Sequence, residues 1–357
     1  MKLIDLPTPS LVLNETTMLE NMDKVDEILK GKKARLRPHY KSHKCAAIAH
    51  LQVERGAVGM TCAKLGEAED LIFSGIENVL IANEIVDPIK IARAAQLAKL
   101  CRLTVCVDNI ENARALSDAA VKAGSTLHCY VEFDIGMSRC GVFDMQEYIE
   151  TAKAVVALPN LEYDGIQAYA GHISHMLTKE ERKTKVAANS AKLRELIKLL
   201  NESGIEVRDV SGGSTGTIDI KAEEGLYTEL QAGSYFMMDN TYRELDLPYK
   251  NALFVLATVI HKRPGVAIAD VGVKGLGTDQ AEPAVFRADG TPVNCRIDVH
   301  EEHMMLRDPS IDLSIGDRLL IIPGHCCSTV NLYDNIYLFR GDKVVNRLAV
   351  TARGLSR

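Results

Sequence analysis

The chain has 357 residues, a formal net charge of -6 at pH 7 and nine scattered cysteines. This length suits a barrel of about 250 residues with a smaller second domain, and the odd cysteine count argues against a disulfide framework. The acidic balance excludes a basic stripe for nucleic acid or an anionic membrane, and no apolar run approaches the roughly 20 residues of a membrane span. The N-terminus has no apolar signal region, so we expect a cytosolic protein.

Strands and helices alternate through the first two thirds of the chain. Helix signals include Asn14 as a cap, Asp87 followed by Pro88, a helix from Asn109 to Gly124, and a capping box from Thr178 to Glu181 that opens the longest helix. Eight strands are predicted, near residues 35–39, 58–62, 79–82, 103–107, 127–133, 162–168, 207–211 and 229–232. Eight strands that alternate with helices predict a closed parallel (β/α)8 barrel over residues 14–242.

The pattern changes after Tyr242. From Leu253 onward, short strands are separated by turns rich in glycine and proline, with no long helix. We therefore predict an all-β domain over residues 243–357, which an N-terminal strand near Leu11, within residues 1–13, joins.

Polar and glycine residues collect where the predicted barrel strands end, which is the face where such barrels place their chemistry. Lys41 ends the first strand and is a candidate reacting amine. The loops after strands seven and eight allow backbone N–H groups to converge on an anion. Their candidate phosphate-binding residues are Ser211, Gly213, Ser214, Thr215, Gly233, Ser234 and Tyr235.

A phosphate site together with a lysine on the first strand suggests covalently held pyridoxal phosphate. Tyr169 can lie against a planar ring, and Arg139 can reach the phenolic oxygen of the cofactor or a substrate carboxylate. Each residue also has a simpler explanation that accounts for it at least as well on its own: a barrel-rim aromatic for Tyr169, and a salt bridge to a rim carboxylate such as Asp134 for Arg139.

Six segments of the chain resemble the D-serine dehydratase/D-threonine aldolase branch of the alanine racemase-like, fold type III pyridoxal phosphate enzymes. They follow the order and spacing of that family: Leu6–Leu11, Pro38–Lys44, Asp134–Gly141, Gly165–Tyr169, Ser211–Thr215 and Pro323–Cys327. The resemblance implies a barrel with a C-terminal β domain, a homodimer, Lys41 as the cofactor lysine, and small D-β-hydroxy amino acids as substrates.

His325 and Cys327 form the remaining cluster. Imidazole and thiolate suit a borderline divalent ion such as Zn²⁺, and residues i and i+2 of an extended chain share one face. Taken alone, the pattern is better explained by a buried histidine beside small cysteines. The resemblance implies that this pair holds the divalent metal (Zn²⁺, or Mn²⁺ or Mg²⁺) and that Cys326 points away.

The members of the family that the chain resembles differ at this pair: the dehydratases carry His-x-Cys, whereas the aldolases tend to carry His-x-Asp. We therefore expect a dehydratase that converts D-serine or D-threo-3-hydroxyaspartate to a 2-oxo acid and ammonia, with Lys41 taking the Cα proton. The alternative is an aldolase that yields glycine and an aldehyde, with His175 or His172 as the second base. A racemase would leave the metal pair without a purpose, and a small non-enzymatic cofactor carrier would lack the β domain.

Overall fold

A computed structural model describes all 357 residues, which form two compact units. The barrel unit comprises Asp26–Lys41, Ala46–Gly233 and Leu355–Arg357. The β unit comprises Met1–Val25, Ser42–Cys45 and Ser234–Gly354. The long C-terminal segment of the β unit therefore begins at Ser234, eight residues before the Tyr242 boundary expected from the sequence. No helix combines the length and the apolar character that crossing a membrane would require.

The elements follow each other in the expected alternation. The strands are β1 Ser10–Asn14, β2 Arg35–Leu36, β3 Met60–Cys62, β4 Asn78–Glu84, β5 Arg102–Val107, β6 Leu127–Glu132, β7 Leu161–Ala168, β8 Asp209–Gly212, β9 Glu229–Leu230, β10 Leu253–Arg263, β11 Val266–Ala269, β12 Ala284–Arg287, β13 Arg296–Val299, β14 Met304–Arg307, β15 Arg318–Ile322, β16 Asn335–Arg340 and β17 Lys343–Ala349. The α-helices are α1 Glu15–Leu29, α2 Ala46–Glu54, α3 Leu65–Phe73, α4 Pro88–Leu97, α5 Ile110–Ala123, α6 Met145–Ala157, α7 Lys179–Glu202, α8 Ile218–Glu224, α9 Asn240–Arg243 and α10 Cys326–Val330.

The barrel unit is a parallel sheet of eight strands in the order β2-β9-β8-β7-β6-β5-β4-β3. The two ends of this sheet meet, because His39 forms a parallel bridge with Thr61 and the Val58 N–H donates to the Leu36 carbonyl. The expected closed parallel barrel is thus confirmed.

Local sequence signals explain where the barrel helices begin. The Asp87 side chain accepts hydrogen bonds from the N–H groups of Ile89 and Lys90 ahead of α4, and Asn109 caps α5 in the same manner. The Thr178 and Glu181 capping box opens α7 as predicted. Each cap satisfies N–H groups that the helix itself leaves unpaired.

A buried ion pair connects strands inside the barrel. Arg37 donates to both carboxylate oxygens of Glu229, at 2.8 and 2.7 Å, and both side chains are only 3% exposed. Tyr130 donates to the same carboxylate and Arg37 also donates to Asn78. Charge and hydrogen bonding are therefore matched at a position that has no access to water.

The β unit is built around its N-terminal strand. β1 pairs antiparallel with β10, with Leu13 opposite Leu253, and parallel with β16, with Val12 opposite Tyr337. These pairings continue into a sheet of order β13-β14-β11-β10-β1-β16-β17, with β15 also paired to β10 and β12 paired to β15. Leu6, Val12, Leu256 and Phe339 pack together in its core.

Candidate active site

Lys41 lines a cavity of about 220 Å³ at the carboxyl ends of the barrel strands. Lys41 follows β2 in a single turn of 3-10 helix, and its backbone N–H lies 3.4 Å from Nδ1 of His39. The residues lining the cavity are His39, Lys41, Ala63, Ala82, Asn83, Arg139, Cys140, Gln167, Tyr169 and Gln231. Three of the predicted site residues, Lys41, Arg139 and Tyr169, therefore meet in one cavity.

Two cations lie close to the ring of Tyr169 in this cavity. Lys41 Nζ is 5.8 Å and Arg139 Cζ is 5.3 Å from the centroid of its ring. A Cβ atom on Gly171 would lie 2.8 Å from that ring, so only glycine leaves room for this placement. The aromatic face is attractive to both cations and offers a flat surface for a planar ligand.

Arg139 lies beside carboxylates that sequence reasoning did not identify. Its Nη2 is 3.7 Å from Glu132, whereas Asp134 instead accepts the N–H groups of Gly136 and Met137 within its own loop. The alternative of a salt bridge from Arg139 to a carboxylate at the end of a strand therefore holds, but its partner is Glu132 and not Asp134. Burial and then the charge and hydrogen bond of Glu84 raise the pKa of Glu132 to about 8, while Arg139 opposes the shift.

The loop after β8 has the form of an anion cradle. Gly213 has φ +83°, and Ser214 begins a 3-10 turn in which its backbone N–H donates to Thr217 Oγ1. The N–H groups of Gly213, Thr215 and Gly233 have no acceptor within the protein. Ser211 is fully buried and accepts a hydrogen bond from Gln231. Unpaired N–H groups beside hydroxyls suit a phosphate.

Ser234 and Tyr235, the last two of the predicted phosphate-binding residues, belong to the β unit. Both are buried, and the Ser234 hydroxyl lies 3.6 Å from the sulfur of Cys327. Ser234 therefore contacts one of the two candidate metal ligands, which the sequence alone did not indicate.

These features fit pyridoxal phosphate. An amine beside an aromatic face suits a cofactor that is planar and forms a covalent bond with lysine, and the unpaired N–H groups after β8 suit its phosphate. The residues that would hold it are Lys41, Tyr169, Arg139 and the loop from 211 to 215.

His325 and Cys327 begin a short helix rather than an extended segment. His325 is the N-cap of α10, and Cys327 lies in its first turn. The expectation of an extended chain is thus wrong, although the two side chains still interact. Burial alone would lower the pKa of His325, but hydrogen bonds and charge interactions with Cys327 and Asp279 raise it to about 9. Cys326 is buried, with its sulfur 3.9 Å from that of Cys327.

Cys327 has the electrostatics of a metal-binding thiol. A hydrogen bond from Cys326 contributes most to a pKa well below the ordinary range, burial opposes it, and His325 and Ser42 lower it further. Nδ1 of His325 lies 2.7 Å from an Asp279 oxygen, which leaves Nε2 for a ligand. A thiolate and an imidazole that share a proton fit a divalent ion able to displace that proton.

A second group of possible ligands, His128, Glu162 and Asp164, lies near the opposite, amino-terminal ends of the barrel strands. Two guanidinium groups already neutralise its carboxylates, since Arg102 lies 2.6 Å from Asp164 and Arg208 lies 2.8 Å from Glu162. A cation there would compete with these pairs, so the group is better described as an ion-pair network.

The two candidate second bases do not line the Lys41 cavity. His172 and His175 are both exposed in the loop after β7, and His175 lines a different cavity of about 700 Å³ with Met176 and Leu177. The cavity instead contains His39 together with the hydrogen-bonded side chains of Gln167 and Gln231. Their position on buried strand ends was the only available sequence signal.

The chain combines a closed parallel barrel, a lysine in a cavity at the carboxyl ends of its strands, and a β unit. This combination is typical of alanine racemase-like pyridoxal phosphate enzymes. The family described as alanine racemase, N-terminal domain, matches residues 13–241, and a putative serine dehydratase domain matches residues 252–339. The chain belongs to this family, in the branch that combines the two domains, and is a pyridoxal phosphate-dependent lyase.

Named relatives include both aldolases and dehydratases. The 3-hydroxy-D-aspartate aldolase of Paracoccus denitrificans (strain Pd 1222) is 38% identical over 98% of this chain and 93% of its own. The crystal structure of D-threonine aldolase from Filomicrobium marinum is 37% identical, with a TM-score of 0.96 over 100% of this chain and 98% of that one. The D-threo-3-hydroxyaspartate dehydratase of Delftia sp. (strain HT23) is 27% identical over 92% of both chains.

Proposed function

We propose that the protein is an aldolase that cleaves the Cα–Cβ bond of a D-β-hydroxy amino acid, such as D-threonine or D-3-hydroxyaspartate, to glycine and an aldehyde. The observation that carries this proposal is the higher identity to aldolases, 37–38%, than to the dehydratase at 27%. This reverses the preference that the His-x-Cys pair suggested. The bound groups supply an electron sink at Cα and a Lewis acid for the β-hydroxyl.

The barrel side chains have roles that follow from their surroundings. Lys41 binds the cofactor, Tyr169 provides a flat face for its ring, and the loop from 211 to 215 receives its phosphate. Arg139 is only loosely paired with Glu132, at 3.7 Å, so its charge is available to an anionic oxygen of the cofactor or the substrate.

His325 and Cys327 would hold the divalent metal, with Asp279 fixing the imidazole. Two protein ligands leave coordination positions for water and for the substrate oxygen. Asp279 accepts from Ser328 with its other oxygen, which limits its rotation. A carboxylate that accepts from a ligating histidine strengthens metal binding, and its loss costs about 10–100-fold in affinity.

A dehydratase is the second candidate, because Cys327 is the ligand type that led us to expect this reaction from the sequence. A thiolate donates more charge to the metal than a carboxylate does, which changes how strongly the ion polarises a bound hydroxyl. Both reactions would use the same cofactor and metal residues, so they are distinguished by their products.

The decisive experiment incubates the cofactor- and metal-loaded protein separately with D-threonine, D-threo-3-hydroxyaspartate and D-serine. We expect glycine and an aldehyde from the first two substrates, measured by amino acid analysis and by an aldehyde dehydrogenase assay. Lys41→Ala and the L-enantiomers are the controls. A 2-oxo acid with ammonia as the dominant product would overturn the aldolase assignment in favour of the dehydratase.

Three variants complete this test. His172→Ala, His175→Ala and His39→Ala are compared to identify the base. The base is the histidine whose replacement lowers kcat while the cofactor absorption band is retained.

We also propose that the protein is a homodimer, which sedimentation of the loaded protein would test.

A further inference from the structure

Lys221 is a buried lysine for which the proposed reaction has no role. It lies on α8, directly after the phosphate loop, and is only 2% exposed. Its amine lies 3.5 Å from the centroid of the Tyr227 ring and makes no ion pair or hydrogen bond. A buried lysine without a carboxylate partner is costly in its charged form, so its position requires an explanation.

The stem of Lys221 lies directly against the phosphate loop. A Cβ atom on Gly213 would lie 3.3 Å from Lys221 Cδ, and one on Gly212 would lie 3.0 Å from the Tyr227 ring. Lys221 Cδ, which is two bonds from the amine, therefore lies next to Gly213. The N–H groups of Gly213 and Thr215 in this loop are unpaired. An anion bound by these N–H groups would therefore lie near the Lys221 side chain.

The electrostatic surroundings of Lys221 make it responsive to such an anion. Burial lowers the pKa of Lys221 to about 7, and the charge of Glu224 on the same helix offsets this only in part. Glu224 itself accepts a hydrogen bond from Ser190 of α7. The other groups close to the amine are the neutral ring of Tyr227 and the loop from 211 to 215, whose side chains carry no charge. A phosphate bound at this loop would therefore be the strongest negative charge near the amine.

Resting on the proposed function, we propose that Lys221 is the counter-charge for the cofactor phosphate. The amine takes up one proton from solvent when a phosphate monoester dianion binds at Ser211–Thr215. Above the pH at which Lys221 loses its proton in the phosphate-free protein, phosphate binding requires the uptake of a proton. The affinity for phosphate therefore falls as the pH rises. Below that pH the amine is charged in both states and the affinity is level.

The test uses pyridoxine 5′-phosphate, which has no aldehyde and so is independent of any bond to Lys41. Its affinity for the apoprotein is measured by calorimetry from pH 7 to 9.5, where its phosphate remains a dianion. Pyridoxine and inorganic phosphate, titrated in parallel, separate ring binding from phosphate binding. Repeating the titration at pH 8 in buffers of different ionisation enthalpy counts the protons taken up.

We expect the wild-type affinity to fall at least tenfold between pH 7 and 9, with close to one proton taken up per phosphate. Lys221→Met should bind roughly fifty- to a hundredfold more weakly at pH 7, as expected for one lost charge about 6 Å from the phosphate at an effective dielectric constant of about 20, and show no pH dependence. Lys221→Arg should bind tightly with no pH dependence, because arginine remains charged. Lys192→Met, an exposed change on α7, should match the wild type.

Two results would overturn the inference: Lys221→Met with wild-type affinity and slope, or Lys221→Arg that keeps the slope. The second result is informative even if Lys221→Met does not fold. Absence of any pyridoxal phosphate band in the wild type would instead refute the proposed function, so the two failures are distinguishable.

Discussion

Glu132→Gln should change how stability depends on pH. The carboxyl of Glu132 is 4% exposed, beside Glu84, and its pKa is raised from an ordinary 4.5 to about 8. Between these values the folded protein holds a proton that the unfolded chain has released, so the free energy of unfolding falls as the pH rises through this window. At about 1.36 kcal/mol per pH unit, this loss is on the order of 4 kcal/mol.

Glutamine keeps the shape of the side chain but cannot lose a proton. We therefore expect Glu132→Gln to be close to the wild type in stability at pH 5 and more stable at pH 9, by up to about 4 kcal/mol. The lost pairing with Arg139 contributes little, because the guanidinium is 45% exposed and 3.7 Å away. The assay is urea unfolding of the apoprotein, followed by circular dichroism, at pH 5, 7 and 9.

Glu202→Gln is the matched control, since Glu202 is exposed on α7 and should leave the pH profile of stability unchanged. If the difference between Glu132→Gln and the wild type stays within about 0.5 kcal/mol from pH 5 to 9, the carboxyl is already ionised at neutral pH. The argument from burial and from Glu84 would then be refuted.

Three further predictions concern the cofactor, the metal and the barrel interior. Lys41→Ala should abolish the visible absorption band of the loaded protein that borohydride otherwise removes, and a surviving band would exclude Lys41 as the cofactor lysine. Cys327→Ala and chelation should each remove most activity yet leave that band in place; activity that persists after both would make the cluster structural. Glu229→Gln should lower the free energy of unfolding by about 3–5 kcal/mol, because Arg37 would be left buried without its partner, whereas Glu202→Gln should cost under about 0.5 kcal/mol in the same urea titration.

The sequence was sufficient for the barrel because its signals are local and repeated. Each strand is a short apolar run, and each following helix begins at a cap such as Asp87, Asn109 or Thr178. Lys41 and Tyr169 were found for the same reason: in a parallel barrel, the ends of strands meet at one face whatever their separation along the chain.

Pairings across the barrel were not accessible in this way. Glu84 and Glu132 end strands that are two apart in the sheet, and no periodicity indicates that their carboxyls interact. Lys221 was missed because its seven-residue helix is too short to show which face is buried. The five-residue helix α10 was missed likewise, so His325 and Cys327 were assigned to an extended segment.

The central position of β1 in the β unit has a consequence for synthesis. Val12 is synthesised long before its two neighbours, Phe254 and Tyr337. All eight barrel strands are synthesised before β10 and β16. The barrel can therefore form while β1 is still unpaired. Pairing over such sequence separations is slow, and an unpaired apolar strand invites wrong partners. The β unit is therefore the part of the molecule whose assembly depends most on strands that are synthesised after the barrel.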